Sequence, residues 1–192
     1  MKALLLELAG DYPRTHSIIR LLDELKSISR GKVEEFIRKH RGDFHSLEDA
    51  NLTSRYFAKT FEKADGEHFV KTAERVVRFG EKLKRLWERT KMVRNWRVWA
   101  LKIGRAAREI LGEKTKVFVF GSVVRGEAYG ASDVDILIFG EGIPGSARER
   151  GRILAAILER AGVPLIHPFK LHLADRLEAE AYLRRVGLTV EV

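Results

Sequence analysis

The sequence predicts an α/β protein with two domains, an all-helical bundle over residues 1–92 and a small sheet flanked by helices over residues 96–192. In the first range, apolar residues recur every three or four positions, which is typical of helices that bury one face. In the second range, short runs of β-branched and aromatic residues alternate with amphipathic helical stretches, which is typical of an α/β unit. We expect the boundary in the segment RTKMVRN, residues 89–95.

Composition narrows the class of partner. The chain has 192 residues, a formal net charge of +9, 45% hydrophobic residues, 33% charged residues and no cysteine. This size allows real cores, and the lack of cysteine excludes disulfides and thiolate metal sites. The positive charge favours a polyanionic partner such as a nucleotide, a nucleic acid or an acidic protein. High charge with much arginine and glutamate is typical of thermophilic proteins.

Neither a signal peptide nor a membrane span is predicted. The apolar start MKALLLELAG is interrupted at Glu7 and Asp11, too early for a signal peptide. No apolar run approaches the 18 residues or more that a spanning helix needs. We therefore expect a cytoplasmic protein without membrane contact.

The first half begins with several short helical stretches. KALLLELAG predicts a helix that ends at Gly10, a residue suited to the position after a helix. After Pro13, apolar residues share one face of RTHSIIRLLDELKSI: Ile18, Leu21, Leu22 and Leu25. A further helix is predicted from Lys32 to about Arg41. RGDFHS then predicts a loop, and SLEDANLTSRYF a helical or irregular piece.

The clearest helix is predicted from about Glu67 to Lys91. Apolar or small residues form a core-facing stripe: Phe69, Ala73, Val76, Gly80, Leu83 and Trp87. Basic residues recur on the opposite side: Lys71, Arg75, Arg78, Lys82, Arg85 and Arg89. Glu74 and Glu81 precede Arg78 and Arg85 by four residues, a spacing that allows ion pairs. We interpret the basic side as a solvated face; a nucleic-acid track and a subunit contact are the alternatives.

The second half alternates helices and strands. A helix is predicted from Trp96 to Leu111 and ends at Gly112. KTKVFVFGS and SDVDILIFG predict two strands, and SARERGRILAAILERAG an amphipathic helix between them and a third extended segment, VPLIHPFKLHLAD. The two prolines of that segment suit an edge strand. RLEAEAYLRRVG predicts the last helix.

Two aspartates stand at the start of the second strand. Asp133 and Asp135 point to the same face, because side chains in a strand alternate. Like charges this close raise each other's pKa and repel, so a bound divalent cation would offset them. A capping and turn role at the strand start is the simpler alternative. Gly121 and Ser122 follow the first strand, where a glycine lets backbone amides approach a phosphate and a hydroxyl can donate to it.

The composite pattern G-S-x-x-R-G-x-x-x-x-x-S-D-x-D, before an apolar strand, resembles the minimal nucleotidyltransferases of the DNA polymerase β superfamily. The resemblance covers about residues 96–192 and implies a small mixed sheet. It also implies that Gly121 and Ser122 hold a triphosphate and that Asp133 and Asp135 hold Mg²⁺. Arg125 matches the arginine of the motif and would support the loop or touch phosphate, and Ser132 completes the implied nucleotide-binding set.

The third carboxylate of that family has no evident counterpart. It normally stands on a later strand as metal ligand or base, and here the later strand is PFKLHLAD. Its polar face carries Lys170 and His172, and the first acid after them is Asp175. We consider Asp175 as the third catalytic carboxylate if the strand extends that far. The alternatives are His172 as base, or a site that binds nucleotide without turnover.

The first half resembles a HEPN domain, the helical module found beside minimal nucleotidyltransferases. The matching stretches are KALLLELAGDYPRTHSIIRLLDEL and LTSRY, followed by a long closing helix. Those domains usually have a first helix ahead of the residues that match KALLL, so the leucines at positions 4, 5, 6 and 8 must be buried in another way. Either the bundle is reduced, or another subunit covers them, or Met1 is not the natural start. We expect a homodimer through the helical domain, with residues 3–8 at or near the contact. Some HEPN domains are ribonucleases with an Arg and His pair; Arg38 and His45 are the candidates here.

The resemblances together imply a metal-dependent nucleotidyltransferase. It would transfer an NMP group from an NTP, with ATP as the expected substrate, to a hydroxyl of a protein, a small molecule or a nucleic acid. Relatives that pair the two modules often act as toxin–antitoxin systems, with the helical module as acceptor. The alternatives are a non-catalytic nucleotide-binding regulator and, less favoured, a HEPN ribonuclease.

Overall fold

The computed structural model describes residues 1–29, 31–57, 60–128 and 132–192 of the chain. Its elements, in order, are α1 (Lys2–Ala9), α2 (Ile18–Asp23), α3 (Lys26–Ser29), α4 (Lys32–Tyr56), α5 (Lys63–Arg94), α6 (Trp96–Leu111), β1 (Lys116–Phe120), α7 (Ser122–Arg125), β2 (Val134–Phe139), α8 (Ala147–Arg160), β3 (Phe169–Ala174), α9 (Arg176–Val186) and β4 (Thr189–Glu191). The chain divides into two units, Met1–Trp87 and Glu88–Val192. The division falls inside α5, slightly before the segment 89–95 where the sequence predicted it. No helix in the described ranges is long and apolar enough to cross a bilayer.

Helix α4 is continuous, so the loop predicted at RGDFHS, residues 41–46, is wrong. Phe44 is fully buried and extends the apolar series begun by Val33 and Ile37 on the face that packs into the helical core. The burial of this aromatic ring outweighs the low helix propensity of Gly42, because tertiary packing contributes more than the roughly 1 kcal/mol that a glycine costs in a helix.

The first helix packs into the core of its own unit. α1 ends at Gly10 as predicted, with the glycine at φ 81° and its N–H donating to the carbonyl of Leu6. Leu5 is fully buried, and Leu4 and Leu8 pack partly buried against the same cluster. Leu6 is the leucine of α1 that stays outside, with 54% of its surface exposed. The argument for a dimer from exposed leucines therefore rests on Leu6 alone.

Helix α5 has the predicted amphipathic character with a shifted apolar stripe. Val76, Leu83 and Thr72 are buried, whereas Ala73 is exposed. Phe79 joins them by stacking on the ring of Phe36, with centroids 3.8 Å apart. The two predicted ion pairs are present, Glu74 with Arg78 at 2.9 Å and Glu81 with Arg85 at 3.9 Å.

The second unit contains a mixed four-stranded sheet in the order β3-β2-β1-β4. β1 pairs antiparallel with β2 and with β4, and β2 pairs parallel with β3. This confirms the α/β class and the small mixed sheet flanked by helices, and β3 lies at an edge as its prolines predicted. β4 was not predicted, because its three residues are too short for a periodic signal.

Strand β2 buries both of its faces, which fixes the side on which the aspartates lie. Val134, Ile136 and Ile138 pack into one cluster together with residues of α6 and α8. Leu137 packs into another cluster with Ala179 of α9. Because side chains alternate along a strand, Asp133 and Asp135 share the face of Leu137, the face covered farther along by α9.

Candidate functional site

The loop after β1 requires a glycine for two separate reasons. Gly121 has φ 87° and ψ −155°, a backbone conformation that residues with a Cβ rarely adopt. A Cβ at this position would also lie 3.1 Å from Oδ2 of Asp135, closer than ordinary contact. The missing side chain therefore lets the backbone of the loop approach one carboxylate oxygen closely. Ser122 begins the short helix α7 directly after this glycine.

Register places the second aspartate at the loop. Phe120, the last residue of β1, pairs with Asp135 of β2. This register alone therefore brings Gly121 and Ser122, which follow Phe120, next to Asp135. This juxtaposition was implied by the motif, and its physical cause is the antiparallel pairing of the two central strands.

Two cations hold Asp133. Arg89 of α5 donates a hydrogen bond to its Oδ1, and the Nζ of Lys170 on β3 contacts its Oδ2. Arg89 also donates to the backbone carbonyl of His167, at 3.1 Å. Burial raises the pKa of Asp133, but the hydrogen bonds from Lys170 and Arg89 outweigh it and hold that pKa below its usual value. The repulsion between the two aspartates is thus offset within the protein itself.

Asp135 lies at the start of a polar chain that leads to α9. Its Oδ1 is 3.5 Å from Nε2 of His172 on β3. Nδ1 of the same ring is 3.1 Å from the hydroxyl of Tyr182. The imidazole also packs against the rings of Tyr182 and Phe120, with centroids 5.3 and 5.7 Å away. These contacts fix the orientation of His172 beside the carboxylate.

Asp175 lies outside this site. It is the N-cap of α9, where its side chain accepts from the backbone N–H of Glu178 and forms a reciprocal capping box. Because β3 runs parallel to β2 with Lys170 opposite Asp135, Asp175 comes five residues farther along. At 3.3 Å per residue this is roughly 16 Å from the level of Asp135. The expected third carboxylate therefore does not reach the pair.

The remaining predicted residues are less informative. The Nε of Arg125 donates to Glu127 at 2.8 Å on the half-exposed surface of the loop. Ser132 is partly buried and immediately precedes Asp133. Positions 129–131, which belong to the motif segment between them, lie outside the described residues.

The donor set fits one Mg²⁺ ion and not a pair of ions. Magnesium in nucleotide sites takes one or two carboxylates and fills its other positions with phosphate oxygens and water. Oδ2 of Asp135 lies beside the loop at Gly121, where the absence of a Cβ leaves this oxygen uncrowded by a side chain. Both oxygens of Asp133 already contact cations. In the described part of the chain, no group of three or more His, Asp or Glu side chains is arranged to hold a metal.

Sequence reasoning missed Arg89, Lys170 and Tyr182 as members of the site. Arg89 was assigned to the basic face of the long helix, and nothing local marks it, because its partner lies 44 residues away. Lys170 was noted on the polar face of β3, but its position next to Asp135 follows only from the parallel register. Tyr182 has no motif around it.

Comparison with known families identifies the two parts of the chain. Residues 102–181, which include the loop, both aspartates and β3, match the family model described as a nucleotidyltransferase domain. Residues 1–83 match the model described as a HEPN domain. The chain therefore carries a HEPN domain followed by a nucleotidyltransferase domain.

Matches to individual proteins add little to the assignment of these two domains. No curated protein matches the chain. One solved structure, described as "a putative nucleotidyltransferase from Sulfolobus solfataricus", is 24% identical and covers 48% of this chain and 81% of its own, with a TM-score of 0.31. At this TM-score the likeness carries no argument about this chain.

Proposed function

We propose that the protein is a metal-dependent nucleotidyltransferase that transfers an NMP group from an NTP, with ATP as the expected substrate, to an acceptor hydroxyl. The observation that carries this proposal is the close approach of the Gly121 backbone to Asp135, where a Cβ would lie 3.1 Å from Oδ2. This approach brings a loop suited to phosphate next to a carboxylate suited to a cation, which is the arrangement that nucleotidyl transfer needs.

In the proposed reaction, the acceptor oxygen forms a bond to the α-phosphorus, and the bond from that phosphorus to the β-phosphate oxygen breaks. Pyrophosphate leaves with the electron pair, and the hydroxyl proton passes to solvent. Gly121 and Ser122 bind the triphosphate through backbone amides and a hydroxyl. Asp133 and Asp135 would hold Mg²⁺, which neutralises the charge that develops on the phosphoryl oxygens. Arg89 and Lys170 keep Asp133 ionised and oriented.

The test is label transfer from each of the four NTPs carrying an α-phosphate label, with Mg²⁺, to the chain itself, to added RNA and to small molecules. We expect transfer with ATP and none in the double variant Asp133→Asn, Asp135→Asn. Asp175→Asn is the control, because it alters a helix cap and should leave transfer intact. Equal transfer by the wild type and the double variant would refute the assignment.

A toxin–antitoxin-like role, with the HEPN domain as acceptor, is part of the proposal. Support comes from the union of the two domains in one chain and from exposed hydroxyls such as that of Tyr56, which is 73% exposed. Mass spectrometry after incubation with MgATP should find an added AMP within residues 1–83. Label on RNA only, with an unmodified chain, would count against this role.

The second candidate is a nucleotide-binding regulator without turnover. The observation that favours it is the ammonium of Lys170 on the face where a third carboxylate would be needed. This candidate predicts nucleotide binding that requires Gly121 and the two aspartates, with no release of pyrophosphate from any NTP. Release above the level of the double variant would exclude it.

Ribonuclease activity is the weakest candidate. Arg38 and His45 are both exposed on α4 and lie seven residues apart, two helical turns along one face. An RNase assay of His45→Ala against the wild type tests this directly. Unchanged cleavage, or none in either, would remove the pair from consideration.

We also propose a homodimer through the helical domain. Leu6 is the exposed leucine of α1 and the basis for this proposal. Leu6→Glu should convert a dimer to a monomer in sedimentation at micromolar concentration. Leu52→Glu, at an equally exposed position on α4, should not. A monomeric wild type would refute the proposal.

A further inference from the structure

Lys170 occupies the position from which a side chain can reach both aspartates. It pairs directly with Asp135 across the parallel strands, and its side chain crosses to Oδ2 of Asp133. Residues opposite each other on paired strands share a face, so the ammonium lies on the same side as both carboxylates. Although its side chain is largely exposed, the Nζ is tethered at the site.

The carboxylate oxygens leave room for few metal bonds. Oδ1 of Asp133 accepts from Arg89 and Oδ2 contacts Lys170, while Oδ1 of Asp135 faces His172. Oδ2 of Asp135 lies beside the phosphate-suited loop, 3.1 Å from where a Cβ on Gly121 would be. Sites that hold two ions place them about 3.5–4 Å apart and need oxygens shared between them. An ammonium on Asp133 occupies one of those shared oxygens and repels a second cation.

We propose that Lys170 takes the place of a second metal ion, so that the site binds one divalent cation per chain and the lysine supplies the remaining positive charge. This inference rests on the proposed nucleotide site. Two carboxylates and two cations, Arg89 and Lys170, give a balanced set before nucleotide enters. One ion arriving with the triphosphate then offsets the phosphate charge. Lys170 is in this sense a positioning residue that determines metal stoichiometry.

The experiment counts bound Mn²⁺ by electron paramagnetic resonance with a non-hydrolysable ATP analogue, in the full chain. We expect one ion in the wild type and two in Lys170→Asp, which replaces the ammonium with a third carboxylate. Lys116→Asp is the control. It makes the same change at the other end of the sheet, where Lys116 pairs with Phe139, and should leave the count at one.

The outcomes distinguish failure of this inference from failure of the proposed function. Two ions in the wild type would overturn the inference while leaving the proposed function intact. No ion in the wild type would overturn the function as well. One ion in both the wild type and Lys170→Asp would reduce the lysine to an ion pair that joins two strands.

Lys170→Met is a second test, needed if circular dichroism shows that Lys170→Asp is misfolded. It removes the charge without adding a ligand. We expect one Mn²⁺, bound severalfold more tightly without nucleotide because the repelling ammonium is gone. Unchanged Mn²⁺ affinity in a folded Lys170→Met would overturn the inference.

Discussion

Each unit of the chain contains an aspartate held by an arginine of α5, and the two clusters differ in what surrounds them. In the helical unit, Arg75 donates to Asp43 at 2.7 Å. His40 and His68 approach the same carboxylate at 3.4 and 3.5 Å. In the sheet unit, Arg89 donates to Asp133.

What differs is the second carboxylate and the loop. Asp43 contacts Arg75, His40 and His68, and this arginine and the two histidines account for its charge. Asp133 stands two residues from Asp135, whose Oδ2 lies close to the backbone of Gly121. The Arg–Asp pair of the helical unit is thus an ordinary ion pair between two helices. The pair of the sheet unit belongs to the candidate nucleotide site, because β1 and β2 bring a phosphate-suited loop next to it.

The largest difference between the two clusters should appear when the carboxylates of each are replaced. A ligand present at 100 times its Kd stabilises the folded state by about 2.7 kcal/mol. Thermal shift with MgATP should therefore lose its Mg²⁺-dependent part in the double variant Asp133→Asn, Asp135→Asn. Asp43→Asn should keep it. If the shift survives in the double variant, the metal assignment fails.

The loop can be separated from its backbone strain. Gly121→Ala and Gly112→Ala both force a Cβ onto a positive-φ backbone, at φ 87° and 100°, and each should cost about 1–3 kcal/mol of stability. Only the first also pushes a methyl group toward Asp135, because nothing lies within 4 Å of a Cβ at Gly112. Isothermal titration should therefore show lost ATP binding in Gly121→Ala alone. Equal ATP affinity in the two variants would place the phosphate elsewhere.

The hydroxyl of Ser122 gives a smaller effect. A hydrogen bond to a charged acceptor contributes about 1.5–3 kcal/mol, so Ser122→Ala should weaken ATP binding by that amount in titration. Ser54→Ala, on the exposed surface of α4, is the matched control and should change nothing. An unaffected Kd in Ser122→Ala would leave phosphate recognition to backbone amides.

The sequence predicted what is local and missed what depends on strand direction. Gly121, Ser122 and the two aspartates stand within a short segment, and alternation alone puts the aspartates on one face. The assignment of Asp175 required that β3 end near the pair. Because β3 runs parallel to β2, the last residue of β3 lies at the end of the strands opposite the two aspartates. Asp175 therefore caps α9 and does not reach the pair. No periodicity reveals which way a strand is paired.

The helical half illustrates a different limit. Gly42 and its polar neighbours indicated a loop, yet α4 continues because Phe44 is buried in the core. Likewise the basic face of α5 was interpreted as solvated. Arg78 and Arg85 fit that description through exposed ion pairs, whereas Arg75 and Arg89 bind carboxylates of other elements. Spacing identifies a face of a helix but not what lies opposite each residue.

The smallest expected effects are those of replacing Arg75 or Arg89. Arg75 and Asp43 are each partly exposed, and ion pairs of that kind contribute about 0.2–1 kcal/mol. Arg75→Gln should therefore lower the free energy of unfolding in urea by that amount, with no change in ATP affinity. Arg89→Gln should lower it by a similar amount, since Lys170 still contacts Asp133. It should also change the affinity for Mg²⁺, because one oxygen of Asp133 loses the cation that competes with the metal for it. If both variants shift metal affinity equally, or if neither does, Arg89 has the same structural role as Arg75, and the second carboxylate and the loop alone distinguish the two clusters.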